Sequence, residues 1–379
     1  MPGIADLPLH HGRVPQWMLE VMTKLARAIM DYIIEVKGPS AVLAMLADPL
    51  WFQAFNNVIG MDWDSSGSTT VVVGILKRIT WEDHDRGILV LGGKGSNMKK
   101  LPEEAERAGE AYGLDPLELR RASKIAARVD SAFLQDGYEL YIHALVVTRT
   151  GEYIVVQQGM NTANGMARRY HVTRFDLEEP HSGVAGSRAS ILLNATASES
   201  REARRMYVDL VQEGPRRIVR YLEEANRMIQ GKPSLLDYVS SGRDPPSRVK
   251  PYYRPIKPSR RLLRSVEAVA NYQVVDERDL AVAPGLGPRV VRALALIADI
   301  LYGVPTSLRD PLSHPLDPFA YSYAIGGKDG VPYPFDRETA LKAYQFLWEA
   351  VEEARLGVET KSRVLARLRR LVRSLEANI

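Results

Sequence analysis

Two groups of residues in this chain have the types and spacing to handle phosphate. The first is the stretch PGLGPRVVRAL at 284 to 294. Gly285 and Gly287 allow positive φ and close approach of the main chain, and the N–H groups opening the next helix would point at an anion. Leu286 between them is expected to plug a core, Pro288 suits the first helical position, and Arg289 and Arg292 add charge to the main-chain cradle. The second group is carboxylate-rich: Asp62, Asp64, Asp130, Asp136 and Glu139 offer hard oxygen ligands suited to Mg²⁺ or Mn²⁺. Lys94, Lys124, Arg168 and Arg169 could stabilise the charge that builds up as a phosphodiester is cleaved. Asp62 and Asp64 are the expected metal ligands, with Lys124, Asp130 and Arg169 completing a catalytic set.

Other chemistries have less behind them. Without a single cysteine, disulfides, thiolate metal sites and a cysteine nucleophile are excluded. His10, His11, His143, His171 and His181 show no zinc-ligand spacing, and alternation could point His143 to either side of its strand. The GGKG at 92 to 95 lacks the spacing and the Lys-Ser/Thr pair of a nucleotide-binding loop, and Ser65 and Ser66 sit in no Gly-x-Ser-x-Gly elbow. The order of acids and lysine also departs from the Asp…(Asp/Glu)-x-Lys nuclease pattern, since Gln157 and Gln158 stand where it needs an acid and a lysine.

Overall charge is only +4 over 379 residues, so its distribution matters more than its sum. Between 243 and 264, Arg243, Arg248, Lys250, Arg254, Lys257, Arg260, Arg261 and Arg264 face the single acid Asp244, with Tyr252 and Tyr253 among them. A backbone cradle giving few phosphate contacts needs such charge for useful affinity, so the two features together favour sequence-independent binding to a sugar-phosphate backbone.

Several elements must position these residues. Residues 15 to 36 carry apolar side chains at helical spacing, and Gly38-Pro39 stops the pattern. The run VVVGILKRI after DSSGSTT fits strand or helix. Helices are expected at 102 to 112 and 115 to 134, the latter opened by Asp115 as cap and Pro116. The period then changes to 2 in YELYIHALVV and YIVVQQG, an antiparallel hairpin around TRTGE, followed by a helix bearing ARRYH. Residues 198 to 229 are helical with a break at Gly214-Pro215, and the proline-rich stretch after them reads as an extended arm. The hairpin glycines sit between a helix DERDLAVA and a second, longer helix.

Helix, two-glycine turn and helix together resemble the helix-hairpin-helix motif of DNA repair, replication and recombination proteins over about 25 residues. The stretch that follows, to Asp310, loosely resembles helix-hairpin-helix DNA glycosylases, in which an aspartate is catalytic; Arg289 would stand where lyase members carry lysine, and an arginine forms no Schiff base. Over most of its length the chain resembles the family called domain of unknown function 763. The resemblance is carried by ADLPLHHGRVPQWM, DPLWFQAF, DWDSSGSTT, GGKG, SKIAARVDSAFLQDGYELYIH, VVQQGMN, ARRYH and SYAIGGKDGVPYPFDRET. The family's acidic-aromatic segment reads Asp-Trp-His where this chain has Asp62-Trp63-Asp64, so an imidazole ligand there would be exchanged for a carboxylate.

The expectation is an α+β N-terminal domain over 1–197 with an antiparallel hairpin, a helical segment and basic arm over 198–265, and an all-helical domain over 266–379 containing the helix-hairpin-helix. The protein is expected to act on DNA, as a metal-dependent structure-specific nuclease using Mg²⁺ or Mn²⁺, or as a non-catalytic DNA-binding scaffold, or as a glycosylase using Asp310. Gly285, Leu286, Gly287, Arg289, Arg292, Arg254, Lys257, Arg260 and Arg261 would contact DNA. A homodimer or a repair-protein partner would complete the assembly. No membrane span or secretory signal is read, which implies a cytoplasmic location, and the surplus of arginine over lysine fits a hot environment.

Overall fold

The computed structural model describes residues 16–59, 67–189, 192–230 and 254–314, with isolated positions between 345 and 369. The protein is mixed α+β, built on an antiparallel sheet. The order of its five strands is β1 (Ile88–Lys94), β3 (Glu139–Thr148), β4 (Tyr153–Asn161), β5 (Met166–Val172) and β6 (His181–Gly186). A separate two-stranded ribbon pairs β2 (Leu134–Gln135) with β7 (Leu193–Asn194).

Helices cover one face of the sheet: α1 (Gln16–Lys37), α2 (Pro39–Ala47), α3 (Pro49–Ile59) and α4 (Gly67–Glu82). The run VVVGILKRI belongs to α4, where Val72, Val73, Ile75, Leu76 and Ile79 are buried at helical spacing, so packing overrides their β-branched preference. This layer meets Val90, Ile142, Ala144 and Val156 of the sheet. On the opposite face α5 (Leu101–Tyr112) and α6 (Pro116–Arg128) pack against Leu89, Leu91, Leu145, Val147 and Val155. The alternation of 144, 146 and 156 with 145, 147 and 155 is the period-2 rule of a sheet buried on both sides.

Two readings need correction. The helix expected to reach 134 ends at Arg128, passes through one π-type turn at Val129–Phe133 and becomes β2. The segment ARRYH is strand β5, paired on both sides, and not a helix. Gly92 to Lys94 of the GGKG close β1, and Gly92 combines φ 86 with a backbone approach in which a Cβ would lie 2.4 Å from the His143 carbonyl oxygen, so only glycine fits.

The remaining helices form a third layer: α7 (Arg201–Gln212), α8 (Pro215–Ile229), α9 (Arg260–Ala270), α10 (Glu277–Val282) and α11 (Pro288–Tyr302). Gly214, at φ 92, separates α7 from α8 where a break was expected. Their core is shared with Ile125, Val129 and Phe133. Helix α9 also crosses the boundary expected at 265, because Ser259 caps it by accepting from the Leu262 N–H at 3.3 Å. Most of 315–379 lies outside the described residues, so the all-helical character expected of 266–379 is described only to 314. Among the described residues no helix is long and apolar enough to cross a membrane.

Candidate nucleic-acid interface

Helix α10 opens at Asp276, whose carboxylate accepts from the Asp279 N–H at 2.8 Å, and ends where Ala283 donates to the Leu280 carbonyl. The chain then turns through Gly285 and Gly287 into α11. Gly285 adopts φ 83, and an added Cβ would meet the Ser265 carbonyl oxygen at 2.8 Å and the Ala268 methyl at 3.0 Å, so α9 abuts the turn directly. Leu286 is 1% exposed and anchors the turn in the helical core. Gly287 is different: its backbone is extended at φ −160, and a Cβ there would meet nothing within 4 Å. Val290 and Val291 donate back to the Gly287 carbonyl. The N–H of Arg289 belongs to the first turn and has no intrahelical acceptor by geometry, and that of Gly287 has none among the described residues.

Exposed cations lie beside this turn on α9 and at Arg289, and others precede α9 in the arm. Arg254, Lys257, Arg260, Arg261, Arg264 and Arg289 are exposed, and no ion pair ties them to an acid among the described residues. Some exposed arginines elsewhere are paired, Arg149 to Asp85, Arg174 to Asp176, Arg201 to Glu178 and Arg309 to Glu179 and Glu199, whereas Arg205, Arg216 and Arg220 also have no ion pair among the described residues. The arm is also less free than its prolines suggest. The Asn226 side chain of α8 donates to the Ile256 carbonyl and accepts from the Ile256 N–H, both at 2.8 Å, which fixes the arm where it enters α9. Asn226 has no signature in the sequence, since its partner is thirty residues away. Arg292 turns inward instead, donating to the Gln135 side-chain oxygen at 2.9 Å while the Gln135 amide donates to the Pro288 carbonyl at 2.8 Å. These contacts brace the start of α11 against β2.

The expected catalytic residues are not brought together. Asp62 and Asp64 lie outside the described residues. Lys124 donates to the carbonyl of Val282, the last residue of α10, at 2.5 Å; burial and then the charge of Arg128 lower its pKa. It supports the hairpin from α6. Asp130 is buried on the α6 side of the sheet, accepting from the Gln157 amide at 2.5 Å and pairing with His181 at 2.6 Å. Gln157 in turn accepts from His143 at 2.7 Å, and His143 meets Ser123 at 2.8 Å. Burial lowers the His143 pKa, so the neutral ring can donate from Nδ1 and accept the Ser123 hydroxyl at Nε2. Arg169 points to the other face of the sheet, where it donates to Thr69 at 3.0 Å and Gln53 at 3.2 Å and lies 4.7 Å from the Phe52 ring. Among the described residues no group of three or more His, Asp or Glu side chains is placed to hold a metal.

Asp310 is occupied in packing. It accepts from Arg168, from the Ala189 N–H at 2.9 Å and from the Leu312 N–H at 3.1 Å. Arg168, fully buried on β5, also pairs with Asp136 at 3.0 Å, and Asp136 accepts from Tyr170 at 2.8 Å. Burial pushes the Asp136 carboxyl up while the Arg168 charge pulls it down. This network was not legible beforehand, because its members are contributed by residues 136, 168, 170 and 310.

The family model described as protein of unknown function (DUF763) matches residues 3–335. No curated protein and no solved structure matches the chain.

Proposed function

The chain belongs to the DUF763 family, and from that premise we propose that it binds DNA through the sugar-phosphate backbone at the Gly285–Gly287 turn and the basic arm that leads to it. One observation carries the reading. Gly287 has extended backbone and open space where a Cβ would go, so neither strain nor internal packing calls for glycine there. What a missing side chain leaves at the start of α11 is room for an outside group to reach the Gly287 and Arg289 amides, and an anion is the group that helix start attracts. The exposed cations from Arg254 to Arg264, with Arg289, supply the long-range attraction that a small cradle lacks.

Metal-dependent cleavage gains no support from Lys124, Asp130 and Arg169, which serve three separate contacts, so the reading is a DNA-binding protein of repair or recombination acting with partners. Fluorescence anisotropy with labelled single-stranded, duplex and forked DNA tests it, using Gly287→Glu as the variant. The substitution fits the backbone and puts a carboxylate in the cradle. Losing one charge-assisted contact of about 1.5–3 kcal/mol is a loss of at least about tenfold in affinity. Unchanged binding would sink the hairpin reading, and chelator-sensitive product on a denaturing gel would restore the nuclease.

A further inference from the structure

Helix α8 carries a basic stripe that the turn and the arm do not account for. Arg216, Arg220 and Arg227 are exposed and have no ion pair among the described residues, while Arg217 is tied to Glu213 at 3.1 Å. At 3.6 residues per turn the three fall within about 40° of one another and span about 16 Å of helix. Their placement does not serve the helix itself, because Arg216 stands in a first turn that holds no acid, where the macrodipole disfavours a cation. Glu223 is the one exposed acid of α8. The outer face of α7 is balanced by contrast: its unpaired Arg205 lies three and four residues from the exposed Glu202 and Asp209.

The stripe runs into the arm. Asn226 holds the Ile256 main chain by two hydrogen bonds of 2.8 Å, which brings α8 at Arg227 to the arm between the exposed Arg254 and Lys257. From there the cations continue through Arg260 into α9, which itself packs on α8. A straight row of charges on a rigid helix suits a regular backbone, and about 16 Å covers about five phosphates of one duplex strand at about 3.4 Å of axis each. A single-strand site would add aromatic side chains on which bases stack. Tyr221, the one aromatic residue of α8, is instead occupied, donating to Glu213 at 2.9 Å and meeting Tyr302 edge-on at 6.0 Å, and residues 254–270 include no aromatic.

We propose that the outer face of α8 carries duplex DNA onward from the arm, with Arg216, Arg220 and Arg227 meeting its sugar-phosphate backbone; this rests on the reading of the turn and arm as a DNA contact and names the duplex as its substrate. The test is fluorescence anisotropy on the full chain with a labelled duplex and with one of its strands, across a series of salt concentrations. Arg216→Gln/Arg220→Gln/Arg227→Gln should keep the wild-type melting temperature and make the duplex slope of log affinity against log salt shallower by about 2.7, three contacts at about 0.9 each. Raising salt from about 50 to 200 mM should then weaken the wild type about 40-fold more than the variant. The triple lysine variant at the same positions keeps the charge and should keep the slope, and Glu223→Gln should tighten binding. With the single strand the glutamine variant should change the slope by less than about 0.7, the worth of one contact. An equal loss of contacts on both DNAs would overturn the duplex assignment. An unchanged duplex slope, with Gly287→Glu still abolishing binding, would overturn the α8 contact and leave the turn reading standing. A slope lost in the α8 variant while Gly287→Glu binds like the wild type would overturn the turn reading and, with it, the continuous track.

Discussion

If Arg254, Lys257, Arg260, Arg261, Arg264 and Arg289 each meet one phosphate, binding must release counterions in proportion. For duplex DNA the slope of log affinity against log salt is about −0.9 per phosphate, which gives about −5.4 for six contacts. Raising salt from about 50 to 200 mM should then weaken binding by about 2,000-fold. The triple variant Arg260→Gln/Arg261→Gln/Arg264→Gln removes half of these charges from exposed positions with no acid partner among the described residues, so the fold should tolerate it. Its slope should fall to about −2.7, and the same change in salt should weaken binding only about 40-fold. Anisotropy titrations at four or more salt concentrations measure both slopes. A wild-type slope shallower than about −2, or a triple variant whose slope equals that of the wild type, would refute the assignment of DNA contact to this face.

Asp310→Ala should cost stability and leave any base-excision activity untouched. It deprives the fully buried Arg168 of one of its two carboxylates, and removing one partner of a buried pair costs about 3–5 kcal/mol. A loss below about 1 kcal/mol in urea denaturation would show that Arg168 does not depend on it. Stability should also fall in mild acid through His171. Burial first, and then the charge of Arg169, hold this ring down to about 3, below its ordinary 6.5. The unfolded chain therefore takes up the proton first as pH drops. The contribution of this group is complete above about 6.5 and declines toward about 3, by up to about 1.4 kcal/mol per pH unit. Between pH 7 and 5 that is about 2 kcal/mol, and His171→Phe should remove that part of the decline. Parallel pH profiles for wild type and variant in urea titrations would exclude His171 as its source.

What was legible in the sequence was local. The β3–β4 hairpin announces itself by strict alternation, and α10, the glycine turn and α11 by caps and turn residues within a dozen positions. Strand β5 is the contrary case. Its Arg168 and Arg169 look like a solvated stretch, yet one is buried on each face of the sheet, made tolerable by Asp136 and Asp310 on one side and by Thr69, Gln53 and the Phe52 ring on the other. Those partners are 32 to 142 residues distant, so no window of sequence contains the reason. The same limit separated Lys124, Asp130 and Arg169, which composition grouped as one catalytic set and which the fold assigns to different contacts.

Gly285 and Gly287 show where sequence reasoning stops even within one short turn. By type they are equivalent, and both were expected to serve turn geometry and ligand approach together. In the fold only Gly285 needs positive φ, and its neighbours in α9 leave a side chain no room. Gly287 needs neither, so any cause for it lies beyond the described residues of this chain. Substitution can separate the two roles: Gly285→Ala should damage the packing of α9 on the turn, whereas Gly287→Ala should leave stability within about 0.5 kcal/mol and act on binding alone. A melting temperature for Gly287→Ala well below that of the wild type would mean that the glycine is needed for folding, and the open space beside it would lose its meaning as a contact surface.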